Sequence, residues 1–317
     1  MTDQSKFSGP WAALPVPWTD EDQFDETTYR ADVNCCCDAG IPGICSGMSG
    51  GEFYAMELDE FKQVNRAMIE ECRVRGIPTM VGCTATYTEG AMLRAEWAAD
   101  SGANAIQVGL PFWMEVGEEQ VVGFFRDVSR ACGHITLSIF ETKRHRKALT
   151  LAQHQAIKEA VPNYEMVAVD EGTLGHKPEG CRSLSEFVTV FANEQEWANL
   201  GPSGLRGSCS EFVYWNPPLF LELWQELHDG KWDRVEQTCT KLQALREFMA
   251  AALVVKGLTE TAFARIGGRL TSFLRTGLRN RGPYPPASMD DVEQLQGWCT
   301  EYFPELIGVN ENGEIRR

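Results

Sequence analysis

Several features that mark common classes of protein are missing from this sequence. The longest apolar run, Phe248 to Val255, has eight residues, whereas a bilayer-spanning helix needs about 20. The first residues, MTDQSKFSGPWAALPVPW, contain no basic stretch followed by an apolar one, so we expect no signal peptide. Positive charge is scarce, with 29 Lys and Arg against 45 Asp and Glu. Nucleic acids and anionic membranes both attract basic surfaces, so we expect neither as a partner.

The cysteines lack the spacing of a metal or redox motif. The chain has 11 of them, and Cys35, Cys36 and Cys37 are consecutive, yet no CxxC pair occurs. Zinc ribbons, thioredoxin-like motifs and disulfide frameworks need other spacings. We therefore expect reduced thiols, most of them small buried core residues, in a cytoplasmic protein. Hydrophobic residues make up 43% of the 317 residues, enough for a large core.

Short apolar runs alternate with amphipathic runs over the first two thirds of the chain. Alternation of this kind, with joints marked by Gly or Pro, is typical of βαβ units and a parallel sheet. The predicted strands are Trp11–Val16, Gly43–Ser46, Pro78–Cys83, Ala105–Gly109, His134–Phe140, Glu165–Val169, Phe187–Phe191 and Leu205–Ser208. The predicted helices between them are Thr28–Ala39, Leu58–Arg75, Thr88–Ser101, Glu118–Cys132 and Leu151–Ala160.

The pattern changes after Asn216, where helical runs follow one another with no strand between them. They are Pro217–Leu227, Trp232–Val255, Glu260–Leu278 and Asp290–Tyr302. The phosphate-binding fingerprints GxGxxG and GxxxxGK[ST], common in open α/β sheets, are absent. The sequence therefore favours a closed (β/α)8 TIM barrel over residues 1–216, followed by a C-terminal helical domain over residues 217–317. An open doubly wound sheet is the alternative.

In such a barrel the active site lies where the strands end. The second strand leads into Ser49, Gly50, Gly51 and Glu52. Small residues let backbone N–H groups approach a ligand closely, so this segment could hold a carboxylate. A tight turn that needs glycine would leave the same pattern.

An ordered set of motifs gives the chain a family resemblance. The set comprises Ser49-Gly50-Gly51-Glu52, Gly82 at the end of strand three, Thr88-Glu89, Gly102-Ala103-Asn104, Gly109-Leu110-Pro111-Phe112-Trp113, Phe124-Phe125-Arg126-Asp127-Val128 and Gly282-Pro283-Tyr284-Pro285-Pro286. With these motifs the sequence resembles the dihydrodipicolinate synthase / N-acetylneuraminate lyase superfamily over nearly its whole length. Within it, the sequence looks most like the hydratase-aldolases that cleave trans-o-hydroxybenzylidenepyruvate.

The resemblance implies a (β/α)8 barrel with a C-terminal helical extension, assembled as homodimers or homotetramers. It also implies a 2-oxo acid substrate whose carboxylate would be held around Ser49 and Gly50. The family uses a Schiff-base lysine at the end of strand six and a proton-shuttling tyrosine at the end of strand five. The sequence departs from the family at both places, because Asp170 follows strand six and Phe140 stands in strand five. A carboxylate cannot form an imine, and a phenyl ring cannot move a proton.

Three interpretations of the altered site stay open. Lys143 could be a relocated nucleophile if the barrel mouth desolvates its amine, although its basic neighbours are also typical of a solvated loop. Asp170 could be an acid–base group, or a metal ligand for a cation that polarises a carbonyl. The side chains that could converge with Asp170 are Glu52, Glu141, Glu171 and His176. Alternatively, the chain could be a ligand-binding relative without catalysis.

We favour a lyase of the aldolase or hydratase type that acts on a small 2-oxo acid. An aromatic substituent on the substrate is suggested by Phe112, Trp113 and Phe140. The predicted catalytic positions are Asp170, Phe140 and Lys143. The predicted substrate-binding residues are Ser49, Gly50, Gly51, Glu52, Trp113 and Ser208. We predict no cofactor and no resident metal.

Overall fold

Eight parallel strands form a closed barrel in a computed structural model that describes residues 7–308. Each strand neighbours the next in chain order. The strands are β1 Gly9–Ala13, β2 Ile44–Cys45, β3 Thr79–Gly82, β4 Ala105–Val108, β5 Thr136–Glu141, β6 Tyr164–Val169, β7 Thr189–Phe191 and β8 Leu205–Ser210. All eight overlap the predicted strands, so the TIM barrel predicted from the sequence is confirmed.

Helices follow the strands and then continue alone to the end of the described chain. Those of the barrel are α1 Glu26–Asp38, α2 Leu58–Arg75, α3 Thr88–Asp100, α4 Glu118–Cys132, α5 Leu151–Ala160, α6 Pro178–Ser185 and the short α7 Trp197–Leu200. After β8 come α8 Phe212–Trp215, α9 Pro217–His228, α10 Trp232–Ala252, α11 Glu260–Leu270 and α12 Met289–Tyr302. None of the helices within residues 7–308 is long and apolar enough to cross a membrane.

Local sequence signals explain why several helices begin and end where they do. At the start of α5, the Thr150 side chain accepts a hydrogen bond from the Gln153 N–H, and the Gln153 side chain accepts one from the Thr150 N–H. This reciprocal pair satisfies two N–H groups that a helix leaves open. Helix α2 ends at Gly76, whose φ of 67° lies in the left-handed region that glycine adopts without strain.

Helix α11 is shorter than predicted, since it ends at Leu270 and not at Leu278. Two residues beyond its end, Ser272 has a φ of 55°, which is incompatible with a continuing helix. The buried carboxylate of Asp32 then accepts hydrogen bonds from the N–H groups of Arg275 (2.6 Å) and Thr276 (3.0 Å). Asp32, in helix α1, therefore binds two N–H groups that would bond within the helix if α11 continued to Leu278.

The described chain divides into two compact units made of discontinuous segments. One comprises residues 7–9 and Pro78–Cys209, and the other Pro10–Ile77 and residues 210–308. The first, called the β3–β8 unit, holds six of the barrel strands. The second, called the β1–β2 unit, holds β1, β2 and helices α8 to α12. The sequence-based division at residue 216 stays a prediction.

Most cysteines are core residues, as expected. Nine are free thiols, and eight of those are buried. Cys45 and Cys209, by contrast, are disulfide-bonded, so the prediction of an entirely reduced set is wrong at these two positions. Both lie at the carboxyl ends of strands, and the spacing of cysteines along the chain does not show which of them are oxidised.

Candidate active site

In the β3–β8 unit, the ends of β5 and β6 are joined by Asp170 and Thr142. Strand β6 ends at Val169, so Asp170 is the first residue beyond it. Its Oδ2 accepts a hydrogen bond from the Thr142 hydroxyl at 3.3 Å, and its Oδ1 accepts one from the Glu171 N–H at 2.8 Å. Thr142 is buried and Asp170 half-buried. The carboxylate therefore has a fixed orientation while part of it still faces solvent.

Lys143 lies beside the same strand end. Its ammonium donates a hydrogen bond to Glu171 Oε2 at 3.2 Å, so the structure brings the predicted Lys143 close to the residue that follows Asp170. The two side chains are 69% and 74% exposed. The desolvation that would turn this amine into a nucleophile is absent. An exposed ion pair of this kind contributes little stability.

Phe140 and His145 pack together at the end of β5. Glu141 turns toward α5, where its Oε2 lies 3.2 Å from His154 Nε2. Side chains alternate along a strand, so Phe140 faces the barrel interior. The ring of His145 lies edge-on to that of Phe140 with centroids 6.0 Å apart. Burial, and then the charge of Arg144, lower the pKa of His145 to about 4, so this imidazole is neutral at physiological pH.

Because Gly109 has no side chain, it leaves room for the ring of His145. A methyl group at position 109 would lie 2.0 Å from the His145 ring, far inside van der Waals contact. The N–H of Gly109 donates to the Thr84 hydroxyl at 3.0 Å, which fixes the end of β4 against β3. His145 belongs to the basic run Lys143-Arg144-His145-Arg146-Lys147, a pattern typical of a solvated loop. The signal that could have located it was the glycine at the end of β4.

A second histidine lies at the ends of β6 and β7. His176 Nε2 is 3.4 Å from Glu196 Oε1, and both side chains are half-buried. The hydrogen bond to Glu196 is the largest cause of a raised pKa of His176, opposed by burial and reinforced by the charges of Glu196, Asp170 and Glu171. The pKa of His145 is therefore lowered, whereas the pKa of His176 is raised. Such divergence is typical of sites that use both an acid and a base.

Ser208 and Trp113 have different surroundings from each other. The Ser208 hydroxyl is fully buried and donates to Glu194 Oε1 at 2.8 Å. Glu194, a buried carboxylate that the sequence did not single out, is itself 1% exposed. Trp113, in the connection between β4 and α4, is 75% exposed. Its contact with a substrate stays a prediction.

In the β1–β2 unit, Ser49–Gly51 forms a single 3-10 turn after β2. The carbonyl of Ser49 accepts a hydrogen bond from the Thr261 hydroxyl at 2.9 Å, and Thr261 also lies 3.0 Å from the hydroxyl of Tyr54. Gly50 faces Ala264 of α11, and a methyl group added at Gly50 would lie 3.6 Å from that side chain. Helix α11 thus fixes the turn that the sequence assigns to carboxylate binding.

Glu52 has a fully satisfied buried carboxylate. It accepts hydrogen bonds from Trp18 Nε1 (2.6 Å), the Arg281 N–H (2.9 Å) and Arg265 Nη2 (2.6 Å). Glu52 and Arg265 are both completely buried. Burial lowers the pKa of Arg265, and Glu52 opposes that effect. These contacts give Glu52 a structural role. Its contact with a substrate stays a prediction.

Among residues 7–308, no group of three or more His, Cys, Asp or Glu side chains is arranged to hold a metal ion. The metal-assisted interpretation of Asp170 therefore gains no support from the described residues. The Glu141 carboxylate was expected to converge with Asp170. It instead accepts a hydrogen bond from the Leu149 N–H at 2.9 Å and pairs with His154. Asp170 is hydrogen-bonded to Thr142 and to the Glu171 N–H, and Lys143 is paired with Glu171. His176 follows in the same loop, and the charge of Asp170 contributes to its raised pKa.

Comparison with known proteins places this architecture in a family. Residues 6–296 match the Dihydrodipicolinate synthetase family. The chain belongs to that family. This confirms the family resemblance read from the motifs, and the fold is that of the aldolase-type lyases of the dihydrodipicolinate synthetase family.

Individual relatives are more distant. The trans-O-hydroxybenzylidenepyruvate hydratase-aldolase of Sphingobium xenophagum is 30% identical over 139 residues, and this match covers 42% of each chain. The match therefore spans less than half the length of that relative. The 4-hydroxy-tetrahydrodipicolinate synthase of Anaplasma marginale (strain Florida) is 26% identical over 242 residues, covering 76% of this chain and 79% of that protein.

A solved structure shows the same fold over nearly the whole chain. A catalytic lysine mutant of the Ruminococcus gnavus sialic acid aldolase superposes with a TM-score of 0.85 at 16% identity, covering 96% of this chain and all of that one. At this identity the likeness establishes the barrel fold and nothing about the substrate.

Proposed function

We propose that the chain is a lyase of the aldolase or hydratase type that acts on a small 2-oxo acid. We further propose that it works without an imine at the end of β6. The observation that carries this proposal is the position of Asp170. It is the first residue beyond β6, and Thr142 and the Glu171 N–H orient its carboxylate. The β6 sequence itself, YEMVAV, contains no lysine.

The substrate class is proposed from the family and from the apolar groups near the strand ends. The relatives include a hydratase-aldolase whose name specifies an aromatic substrate, trans-O-hydroxybenzylidenepyruvate. Phe140 faces the interior of the barrel, and Trp113 is an exposed aromatic side chain next to β4. Aromatic side chains of this kind favour a substrate with an aromatic ring. Ser49, Gly50 and Gly51 are the proposed carboxylate-binding turn.

Trapping experiments test the absence of the imine. The wild-type protein incubated with pyruvate and borohydride should show no mass increase on any lysine. The double variant Asp170→Lys, Phe140→Tyr should acquire the adduct, because it restores both the amine and the hydroxyl. An adduct on wild-type Lys143 would overturn the proposed role of Asp170 and support the relocated nucleophile.

Ligand and turnover assays test the reaction. A panel of aliphatic and aromatic 2-oxo acids is screened by thermal shift, because a ligand that binds only the folded state raises its stability. Any ligand found is then assayed for release of an aldehyde or of water. Asp170→Ala should abolish turnover while leaving the thermal shift measurable, and Asp170→Asn should do the same. Unchanged turnover in Asp170→Ala would remove Asp170 from the mechanism.

A ligand-binding relative without catalysis is the second proposal, favoured by the lack of a lysine in β6. It predicts a thermal shift with an oxo acid or another metabolite and no turnover of that ligand. We also propose a homodimer or homotetramer in the cytoplasm. The adjacent side chains Trp113 and Met114 are 75% and 72% exposed, and large exposed apolar groups often mark interfaces. Light scattering after size-exclusion chromatography measures the assembly.

A further inference from the structure

The loop that follows β6 folds back on the end of its own strand. The carbonyl of Asp170 accepts hydrogen bonds from the Thr173 hydroxyl at 2.7 Å and from the Thr173 N–H at 3.2 Å. Gly172 has a φ of 85°, which permits the reversal. A methyl group at Gly175 would lie 2.6 Å from Val169 Cγ1, so only glycine allows the loop to pack this closely against β6. His176 comes directly after this tight segment.

Glu196 then fixes the imidazole from the neighbouring strand end. It belongs to the turn Glu194–Glu196 that follows β7, and its Oε1 lies 3.4 Å from His176 Nε2. The Asn199 side-chain amide donates to the other oxygen, Oε2, at 3.3 Å, which orients the carboxylate. His176 is thus a half-buried titratable ring held by a carboxylate, and it is not among the predicted catalytic positions.

The charged groups around His176 favour its protonated form. Glu196 contributes most, and Asp170 and Glu171 add negative charge from the end of β6; burial acts in the opposite direction. Glu171 is paired with Lys143, which reduces its effect. The Asp170 carboxylate accepts its hydrogen bonds from the Thr142 hydroxyl and the Glu171 N–H, which are both uncharged donors. Asp170 and His176 therefore both lie at the end of β6, where a carboxylate can accept a proton and a protonated imidazole can donate one.

We propose that His176 is the catalytic acid of this site and Asp170 its base, with Glu196 as a positioning residue. This inference rests on the proposed lyase function. The natural substrate class is a 2-oxo acid with a hydroxyl group two carbons beyond the ketone. A general acid takes the place of the imine, because protonation of the ketone oxygen also allows that ketone to accept an electron pair.

The cleavage step balances without any further reagent. Asp170 removes the proton of the substrate hydroxyl, whose oxygen forms a new carbonyl as the adjacent carbon–carbon bond breaks. The electron pair from that bond forms the double bond of an enol, and the former ketone oxygen takes the proton of His176. The enol carbon then receives the proton held by Asp170, while the enol hydroxyl returns its proton to His176. Both side chains end in their starting states.

The first test is spectroscopic and needs no substrate. Histidine signals of the full chain are titrated by NMR, with the His176 signal identified by its loss in His176→Gln. The pKa of His176 should lie above the ordinary value of about 6.5 and should fall in both Glu196→Gln and Asp170→Asn. A His176 pKa at or below the ordinary value, or one that ignores the Asp170→Asn change, would overturn the inference.

The second test is kinetic. With the oxo acid identified by the thermal-shift screen, His176→Gln should lower kcat by roughly 10²- to 10⁴-fold, the usual contribution of a general acid, with a much smaller change in KM. Glu196→Gln should move the alkaline limb of the kcat profile to lower pH. His134→Gln, an exposed histidine before β5, is the matched control and should leave kcat unchanged.

The outcomes separate the two proposals. If the wild type turns over an oxo acid and His176→Gln matches it in kcat, the inference is wrong and the proposed lyase function stands. If the wild type binds but does not turn over any member of the panel, the lyase function fails and this inference with it. A loss of kcat in His176→Gln together with wild-type thermal unfolding supports both.

Discussion

The buried pair of Glu52 and Arg265 allows a quantitative test of what holds the β1–β2 unit together. Arg265 donates to Glu52 Oε2 and to the Val16 carbonyl, both at 2.6 Å, to Asn280 Oδ1 at 2.9 Å and to the Gly277 carbonyl at 3.3 Å. In Glu52→Gln, the guanidinium keeps its neutral partners and loses the buried negative charge that Glu52 supplies. Breaking one partner of a buried ion pair costs about 3–5 kcal/mol.

That cost converts into a measurable change in melting temperature. The entropy of unfolding is about 2.1 cal/mol/K per residue, or about 0.7 kcal/mol/K for a chain of this length. Glu52→Gln should therefore lower Tm by about 4–7 °C. Urea unfolding should show a lower midpoint with an unchanged m-value, as expected for a loss of stability without a change in the surface exposed.

A double variant distinguishes the charge from the packing. Arg265→Met alone should be as damaging as Glu52→Gln, because it leaves the carboxylate buried without its cation. The combined variant should be less destabilised than the sum of the two, since it removes both buried charges. Glu21→Gln, an exposed carboxylate of the same unit, is the control and should change stability by less than about 0.5 kcal/mol. Additive effects of the two buried substitutions would refute the argument.

Three further predictions concern the β3–β8 unit. Gly109→Ala should destabilise the protein by about 1–3 kcal/mol, measured by urea unfolding, because its methyl group would displace His145; equal stability would show that the ring has room to move. Burial lowers the pKa of His145 to about 4. Between about pH 6.5 and 4, this histidine binds a proton in the unfolded chain but not in the folded chain, so the free energy of unfolding should fall as pH drops through that range. His145→Phe should flatten this decline by about 2–3 kcal/mol, and a decline of unchanged steepness would argue against it. Tyr164→Phe removes the hydroxyl that lies 2.7 Å from His154 Nδ1 and should cost about 1–3 kcal/mol in the same unfolding assay, whereas a neutral result would mean that His154 finds another partner.

The sequence predicted the barrel well because its signals are local. Runs such as Glu165–Val169 are apolar and short, and the helices between them carry caps, as Thr150 and Gln153 do at α5. The end of α11 could not be predicted in this way. It depends on Asp32, more than 240 residues away, whose carboxylate binds the N–H groups of Arg275 and Thr276. Local pattern contains no information about such a partner.

The candidate site could likewise be predicted where the signal is local and could not be predicted where distant residues make contact. The strand ends were predicted correctly, and Asp170, Phe140 and Lys143 lie at or beside them. Their catalytic roles stay predictions. The partner of each side chain was not predicted, because it comes from a neighbouring strand end. The burial of His145 depends on Gly109 of another strand, and the hydroxyl of Ser208 is used by Glu194. The basic run that includes Lys143 looked uniformly solvated, although its histidine is buried.

The link between Thr142 and Asp170 has an evolutionary consequence. The ends of β5 and β6 now carry one ammonium, Lys143, opposite two carboxylates, Asp170 and Glu171. A mutation that introduced lysine at position 170 alone would reverse this balance and place two cations beside a single anion. A stable lysine at this position would thus require changes on both strands in succession, and the intermediate sequences would have to tolerate repulsion between like charges. An amine at this strand end is therefore difficult to gain by single substitutions.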